Sequence, residues 1–291
     1  MLLAVLDIGS NTGHLAVYEV EPGQRPVKTH KLKEMLRLAD HVDASGALTR
    51  QGLDSLLMYV RQVRRELDRL GCALLPVATA TLRDAPNRDE VLAAVRDVSG
   101  IELTVLTEEH EARATFLAVA RWLGERDPGR IGVVDIGGGS LEVAVGTGEV
   151  PEATRSWRLG ARRLTRDWLS AGRSTAEVRE HIRSELDPHV PGLVGAGIDR
   201  AVGTSWTMRM LGEVCGNPVH RADVAELAAR VTGRSDREVK QLIGVPRKRA
   251  GQVLAGALVA DVVMERFGFE QLEICQWALR EGVLLQHLDR L

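Results

Sequence analysis

Two aspartates in the sequence each lie near the end of an apolar run, and each is followed by a turn of small residues. The first is Asp7, with the turn Gly9, Ser10, Asn11 and Thr12; the second is Asp135, with the turn Gly137, Gly138, Gly139 and Ser140. Because such turns have small side chains or none, their backbone N–H groups can converge on one anion. Asp135 and Glu142 flank the second turn, where two carboxylates can hold a divalent cation against that anion. The predicted ligand is a phosphate bound together with a metal ion.

A glycine triplet after a strand also occurs in ordinary hairpin turns that bind nothing. The repetition of the pattern weighs against that alternative. The two aspartates are 135 − 7 = 128 residues apart, which is about the length of one domain. We therefore predict two similar domains whose phosphate-type turns face each other across a cleft.

Composition limits the classes of partner. The chain has 291 residues, of which 44% are hydrophobic and 27% charged, with a net charge of −2 and 3% aromatic residues. Neither the charge nor the aromatic content favours nucleic acid, and no apolar run is long enough to span a membrane. The cysteines Cys72, Cys215 and Cys275 fit neither a disulfide framework nor a zinc site, so a cytoplasmic location is expected.

A second set of polar residues follows an apolar strand, Ala73 to Ala78. The segment from Thr79 to Asn87 contains small residues and one arginine, which is typical of a loop at the carboxyl end of a strand in α/β proteins. Arg83 is predicted to make a bidentate contact with phosphate oxygens through two of its guanidinium nitrogens. Pairing with Asp84 on the surface is the alternative.

The helix predicted from Glu109 to Leu123 begins with three carboxylates, those of Glu108, Glu109 and Glu111. Acids at this end of a helix complement its dipole. One of them can also serve as a general base if the helix begins at the active-site cleft. The pattern itself leaves open which acid this is.

The remaining elements continue the alternation of strands and helices. A charged strand from Lys28 to Leu38 is predicted at a sheet edge, with a basic lip for a phosphate chain as the alternative. Further predictions are a helix from Thr49 to Gly71, a linker from Gly124 to Gly129, a long helix from Pro246 to Phe267 and a last helix from Ala278 to Leu291. The predicted domains are residues 1–124 and 125–291, and the last helix is expected to pack back on the first domain.

Six motifs follow one another in chain order. They are Asp7–Thr12, Ala78–Ala85, Glu109–Arg113, Asp135–Glu142, Gly203–Ser205 and Ala278–Gly282. Together they resemble the exopolyphosphatase/guanosine pentaphosphate phosphohydrolase (Ppx/GppA) family. The resemblance implies an α/β, actin-like (ribonuclease H-like) duplicated two-domain fold with an interdomain cleft. It is closest to the short, two-domain exopolyphosphatases, which lack a C-terminal helical domain of the HD type.

The resemblance also implies an activity and roles for residues. The activity is release of terminal phosphate from inorganic polyphosphate by water, with Mg²⁺ or Mn²⁺. Glu111 is then the general base, and Glu142 acts on the attacking water. The implied metal ligands are Asp7, Asp135 and Glu142; the implied phosphate-binding residues are those of the two turns and Arg83. We expect Glu111 to be partly desolvated, because an unperturbed carboxylate is a weak base.

This sequence departs from the family pattern at several positions. Glu108 replaces a glycine and His110 replaces a glutamate beside Glu111, while Thr12 replaces a serine and keeps the hydroxyl. The segment 36–40 lacks the usual glycines, which bears on the shape of the basic lip.

The expected enzyme prefers short polyphosphate chains, because it lacks the domain that would extend a binding channel. The rival hypotheses are 5′-dephosphorylation of guanosine pentaphosphate, ATP-dependent phosphorylation of a small acceptor, and a non-catalytic sensor of polyphosphate or guanosine tetraphosphate. By analogy with actin-like relatives, a homodimer is expected.

Overall fold

The computed structural model describes residues 1–21, 23–124, 128–195 and 197–290. The chain forms two compact units, which we call unit 1 (Met1–Glu111 with Val283–Leu291) and unit 2 (Ala112–Gly282). The predicted linker 124–129 contains residues 125–127, which lie outside the described residues. The predicted domain ranges therefore stay a prediction.

Unit 1 is built on a five-stranded mixed sheet. Its strands are β1 (Leu2–Ile8), β2 (Gly13–Glu19), β3 (Val27–Glu34), β4 (Ala73–Ala78) and β5 (Thr104–Val105), in the order β3-β2-β1-β4-β5. β2 is antiparallel to β1 and β3, whereas β4 is parallel to β1 and β5. Its helices are α1 (Arg50–Leu70), α2 (Ala80–Asp84), α3 (Arg88–Ser99) and the beginning of α4 (Glu108–Leu123), with a 3₁₀ turn at Leu38–Asp40.

Unit 2 has a six-stranded mixed sheet. Its strands are β6 (Arg130–Ile136), β7 (Leu141–Thr147), β8 (Ala153–Trp157), β9 (Arg200–Thr204), β10 (Val219–His220) and β11 (Gln271–Ile274), in the order β10-β11-β9-β6-β7-β8. Its helices are α5 (Ala161–Leu164), α6 (Thr175–Leu186), α7 (Val190–Val194), α8 (Ser205–Cys215), α9 (Arg221–Val231), α10 (Asp236–Ile243), α11 (Arg247–Ala250) and α12 (Val253–Phe267). A π-helical turn covers Thr165–Leu169, and α13 (Leu279–Leu288) begins in unit 2 and ends in unit 1.

The two sheets have the same topology. Strands β8-β7-β6-β9-β11 of unit 2 repeat the order and directions of β3-β2-β1-β4-β5 of unit 1. The register repeats as well, because Ile8 pairs with Gly13 and Ile136 pairs with Leu141, leaving a four-residue turn in each hairpin. The predicted duplication is confirmed at the level of the sheets.

Helix α1 shows how the sequence defines an element of unit 1. The Thr49 hydroxyl accepts the Gly52 N–H at 3.3 Å, and Gly71 ends the helix in a left-handed conformation with φ 61°. On the buried face, the hydroxyl of Tyr59 accepts the Leu15 N–H and donates to the Leu32 carbonyl, both at 3.0 Å. Tyr59 thereby joins α1 to β2 and β3.

Two predicted elements differ from the structure. Residues after Thr79, expected in a loop, form α2, because the Thr79 carbonyl accepts the N–H groups of Leu82 and Arg83 at 3.0 Å. The long helix expected from Pro246 is divided into α11 and α12, since the Gly251 carbonyl accepts the Thr165 hydroxyl at 3.1 Å.

The small residues of α12 provide close packing between helices. A methyl group added at Gly256 would lie 2.6 Å from Cγ2 of Thr207 on α8, too close for any larger residue. At Gly256, the absence of a side chain therefore allows α12 to pack closely against α8.

The three cysteines are free thiols. Burial raises the pKa of Cys215 to about 11 and that of Cys275 to about 12. Among the residues that the structure describes, no helix is long and apolar enough to cross a membrane.

Candidate active site

The first glycine turn (Gly9–Thr12) joins β1 to β2 in unit 1. The Gly9 N–H donates to the Thr12 carbonyl at 3.0 Å and closes the turn. A methyl group at Gly9 would lie 3.9 Å from Oδ1 of Asp7 and 4.0 Å from Oγ1 of Thr79. The Asp7 carboxylate and the Thr79 hydroxyl therefore lie directly beside this turn.

The carbonyl groups of the first glycine turn bind the segment that follows β3. Asn11 accepts the Arg37 N–H and Ser10 accepts the Ala39 N–H, each at 3.0 Å. Arg37 has a φ of 52°, the left-handed region that glycine usually occupies. The segment 36–40 thus makes its turn without the glycines that are usual in the family pattern.

The second glycine turn (Gly137–Ser140) has the same closing bond in unit 2. The Gly137 N–H donates to the Ser140 carbonyl at 2.9 Å. The N–H groups of residues 138–140 donate to no other residue in the described part of the chain. Such a run of available N–H groups is the arrangement that binds anions in backbone nests.

The first residues of α5 hold the other side of the second glycine turn. The Ala161 N–H donates to the Gly137 carbonyl, and those of Arg162 and Arg163 donate to the Gly138 carbonyl, all at 3.0 Å. A methyl group at Gly160 would lie 2.3–2.5 Å from backbone atoms of residues 138–140. These contacts fix the carbonyl side of the turn against α5.

Asp135 and Glu142 lie directly opposite each other on β6 and β7. Like charges in this position repel each other, so a cation between them would stabilise the pair. Glu142 is only 5% exposed and accepts a hydrogen bond from the Ser156 hydroxyl at 3.1 Å. No group of three or more His, Cys, Asp or Glu side chains suited to a metal ion occurs among the described residues. A pair of carboxylates suits Mg²⁺, which is usually bound by one or two carboxylates with water and substrate phosphates.

Glu111, in the first turn of α4, is paired with Arg83 on α2. Nη1 of Arg83 donates to Oε2 of Glu111 at 2.9 Å and to the Leu106 carbonyl at 3.2 Å. Both side chains are 15% exposed, so Glu111 is largely buried, as expected. Asp84, the expected alternative partner, is 3.9 Å from Nε of Arg83. The contact with Arg83 restrains the orientation of the Glu111 carboxylate.

Unit 2 contains a cluster of arginines, Arg162, Arg209 and Arg249, which we call the arginine cluster. Burial, followed by the charges of Arg209 and Arg162, lowers the pKa of Arg249 to about 10. Burial and the nearby Arg280 also lower the pKa of Arg209. The negative charge of Asp135 acts in the opposite direction and raises this pKa. The guanidinium carbon of Arg249 lies 4.4 Å from the centre of the Trp206 ring. Arg162 connects the arginine cluster to the second glycine turn, because its backbone N–H donates to the Gly138 carbonyl.

Ser205 provides a further link to the second glycine turn, at the junction of β9 and α8. Its φ of 85° lies in the left-handed region, and its hydroxyl donates to the Ile136 carbonyl at 2.9 Å. Strained backbone at a non-glycine residue is retained where the surroundings determine it, as at binding sites. Trp206, the next residue, is thereby placed under Arg249.

Comparison with known proteins identifies the family. The family model described as the Ppx/GppA phosphatase family matches residues 16–291. The chain is 42% identical over 306 aligned residues to Exopolyphosphatase 1 of Mycobacterium tuberculosis, covering 99% of this chain and 89% of that protein. The chain belongs to the Ppx/GppA family. The resemblance expected from the six motifs is confirmed.

Solved structures of the Ppx/GppA family show the same fold. An exopolyphosphatase from Cytophaga hutchinsonii superposes with a TM-score of 0.89 at 20% identity, covering 100% of this chain and 99% of that one. A Ppx/GppA protein from Aquifex aeolicus superposes with a TM-score of 0.82 at 24% identity, covering 100% and 98%. The predicted duplicated α/β fold is confirmed.

The structure adds residues to the predicted set. Thr79 lies beside the first glycine turn. Arg249 lies over Trp206, close enough to Arg209 and Arg162 for their charges to lower its pKa. The position of Thr79 inside a Ppx/GppA motif was a signal for it. The arginines are spread over residues 162–249 and have no local pattern that groups them.

Proposed function

We propose that this chain is an exopolyphosphatase, which releases the terminal orthophosphate of inorganic polyphosphate by attack of water. The observation that carries the proposal is the near full-length match, at 42% identity, to a relative named Exopolyphosphatase 1. Phosphoryl transfer requires chiefly positioned charges and donors. The two glycine turns, the arginine cluster and the buried carboxylates supply these.

In unit 1, Glu111 is proposed as the general base. Its contact with Nη1 of Arg83 at 2.9 Å fixes its orientation, and its side chain is only 15% exposed. A carboxylate held in this way can accept a proton from water as the water attacks. Asp7 is proposed as a metal ligand, and the first glycine turn (Gly9–Thr12) as a phosphate-binding element. Arg83 is predicted from the sequence to bind phosphate, and its contact with Glu111 supports a positioning role as well.

In unit 2, Asp135 and Glu142 are proposed to hold Mg²⁺ or Mn²⁺. Their opposed carboxylates and the burial of Glu142 support this assignment. A bound divalent ion would neutralise charge on the phosphate oxygens. Glu142 is also proposed to orient water, with the Ser156 hydroxyl fixing its second oxygen. The N–H groups of the second glycine turn (Gly137–Ser140) and the arginine cluster would bind phosphate oxygens.

Phosphate release from defined substrates tests the proposed function. Purified protein with Mg²⁺ is expected to release orthophosphate faster from polyphosphate than from guanosine pentaphosphate or ATP. Faster release from guanosine pentaphosphate would favour the 5′-phosphohydrolase, which the Ppx/GppA family name also includes. Phosphorylation of an acceptor by ATP would favour a kinase, and binding without any release would favour a sensor.

Metal dependence is a separate prediction. Chelation of Mg²⁺ is expected to abolish phosphate release, and addition of Mg²⁺ or Mn²⁺ is expected to restore it.

Replacement of Arg83 tests its contact with the proposed base. In Arg83→Gln, kcat for polyphosphate is expected to fall up to about 100-fold, because a base displaced by 1 Å can lose that much. KM should change less than twofold if Arg83 acts through Glu111. The control is Arg88→Gln, since the Arg88 side chain forms, within the described residues, a single exposed pair with Asp89. A higher KM with unchanged kcat would instead indicate direct phosphate binding by Arg83.

The proposal includes a cytoplasmic location and a homodimer. The free thiols of the partly buried Cys215 and the buried Cys275 support a reducing compartment. The dimer is proposed by analogy with actin-like relatives, and sedimentation analysis of the purified protein tests it.

A further inference from the structure

Helices α10 and α11 of unit 2 carry four exposed cations, which we call the basic surface: Arg237, Lys240, Arg247 and Lys248. The two helices pack together, and a methyl group at Gly251 would lie 3.0 Å from Oδ1 of Asp236 at the start of α10. The four cations lie within twelve residues of a chain whose net charge is −2. The positive charge is therefore local.

The basic surface is not neutralised by the protein. None of its four side chains forms an ion pair or hydrogen bond with another residue in the described part of the chain. Some other exposed arginines have carboxylate partners, as in the pairs Arg50–Asp54 and Arg173–Glu177. Of the two acids in the first turn of α10, Asp236 and Glu238, the second is engaged in a capping box with Ser235. Uncompensated cations on one face attract polyanions.

The basic surface is continuous with the arginine cluster. Arg249 follows Lys248 on α11, but its guanidinium is turned inward over Trp206 and lies near Arg162 and Arg209. Helix α11 thus has one cation in the cluster beside the second glycine turn and two in solvent. A phosphate chain bound at the turn would have further positive charge along α11 and α10.

We propose that the basic surface binds internal phosphates of polyphosphate and makes affinity depend on chain length. This inference rests on the proposed function and extends it to the substrate beyond its terminal phosphate. Four cations contact a limited number of phosphates, so the gain in affinity saturates once the chain covers both helices.

A matched pair of triple variants tests the inference. The test variant is Arg237→Gln, Lys240→Gln and Lys248→Gln; the control is Arg61→Gln, Arg65→Gln and Arg96→Gln. The control residues are exposed cations of unit 1 that also have no partner among the described residues, so both variants lose three charges. KM is measured for tripolyphosphate and for long polyphosphate. Binding of fluorescent long polyphosphate is measured by anisotropy in a Glu111→Gln background, where turnover is expected to be strongly reduced.

In the test variant, KM and Kd for long polyphosphate are expected to rise about tenfold or more, because three phosphate contacts are lost. The slope of log Kd against log salt concentration should become about 2 units shallower. KM for tripolyphosphate should rise less than twofold, and the control variant should resemble wild type on both substrates.

Three results would overturn the inference. They are an unchanged ratio of the two KM values, an equal loss in both triple variants, and competition by a DNA oligonucleotide as strong as that by polyphosphate. Failure of the proposed function has a different signature, since wild type would then release no phosphate even from tripolyphosphate. In that case the anisotropy measurement still decides whether the basic surface binds the chain.

Discussion

Glu111→Gln is expected to lower kcat for polyphosphate by about 10²–10⁴-fold, the usual contribution of a general base. Glutamine has nearly the same shape, and its carbonyl oxygen can still accept the hydrogen bond from Nη1 of Arg83. The substitution removes proton-accepting capacity and leaves the first turn of α4 in place. KM should change less than threefold, because the terminal phosphate is proposed to bind elsewhere.

The control for this variant is Glu109→Gln, in the same helical turn but exposed. It is expected to keep kcat within about twofold of wild type, since exposed charges at a helix start contribute little. Both variants should have the thermal stability of wild type to within a few degrees. Undiminished phosphate release in Glu111→Gln would show that another group activates water.

Gly160→Ala is expected to abolish most activity through the second glycine turn. The added methyl group would lie within 2.5 Å of three backbone atoms of residues 138–140, which cannot rotate away as a side chain can. Either the turn or α5 must move, and overpacking of this kind costs about 1–3 kcal/mol. KM for polyphosphate should rise and kcat should fall at least about tenfold, because the N–H groups of the turn would no longer converge.

Gly192→Ala provides the matched control, since a methyl group there has no atom within 4 Å. It should leave both activity and melting temperature unchanged. Circular dichroism and thermal melts separate a displaced turn from a protein that fails to fold. A fully active Gly160→Ala would mean that the second glycine turn does not bind the reacting phosphate.

The duplicated hairpins and the caps of α1 could be predicted because local sequence determines them. Apolar alternation and a four-residue turn specify each hairpin, and Thr49 and Gly71 bound α1 through bonds within a few residues. The same local rules failed at α2 and at the break between α11 and α12. Helix α2 has only five residues, which is too short for a periodic pattern to show. The break between α11 and α12 coincides with a contact from Thr165, far away in the chain.

The candidate site was predictable as a set of residues, but not as a set of contacts. Arg83 and Glu111 are 28 residues apart, and periodicity gives no indication that they form an ion pair. The same is true of Gly282, where a methyl group would lie 1.8 Å from the Ala114 carbonyl on α4. A glycine required by a distant backbone looks, in the sequence, like any other glycine.

Gly13 is another glycine that a residue distant in the sequence requires. Its role concerns which alignment β2 and β3 adopt. A methyl group at Gly13 would lie 2.3 Å from the ring of Tyr59, so this glycine provides space for the tyrosine. Strand β3 is mostly exposed and rich in lysine, so its apolar pattern gives little preference for one alignment over another. The Tyr59 hydroxyl fits between the N–H of Leu15 and the carbonyl of Leu32, which face each other in the ladder. A slip of β3 by one residue would lose that fit. The packing of α1 therefore selects the alignment of β3 with β2, which the sequence of β3 alone does not determine.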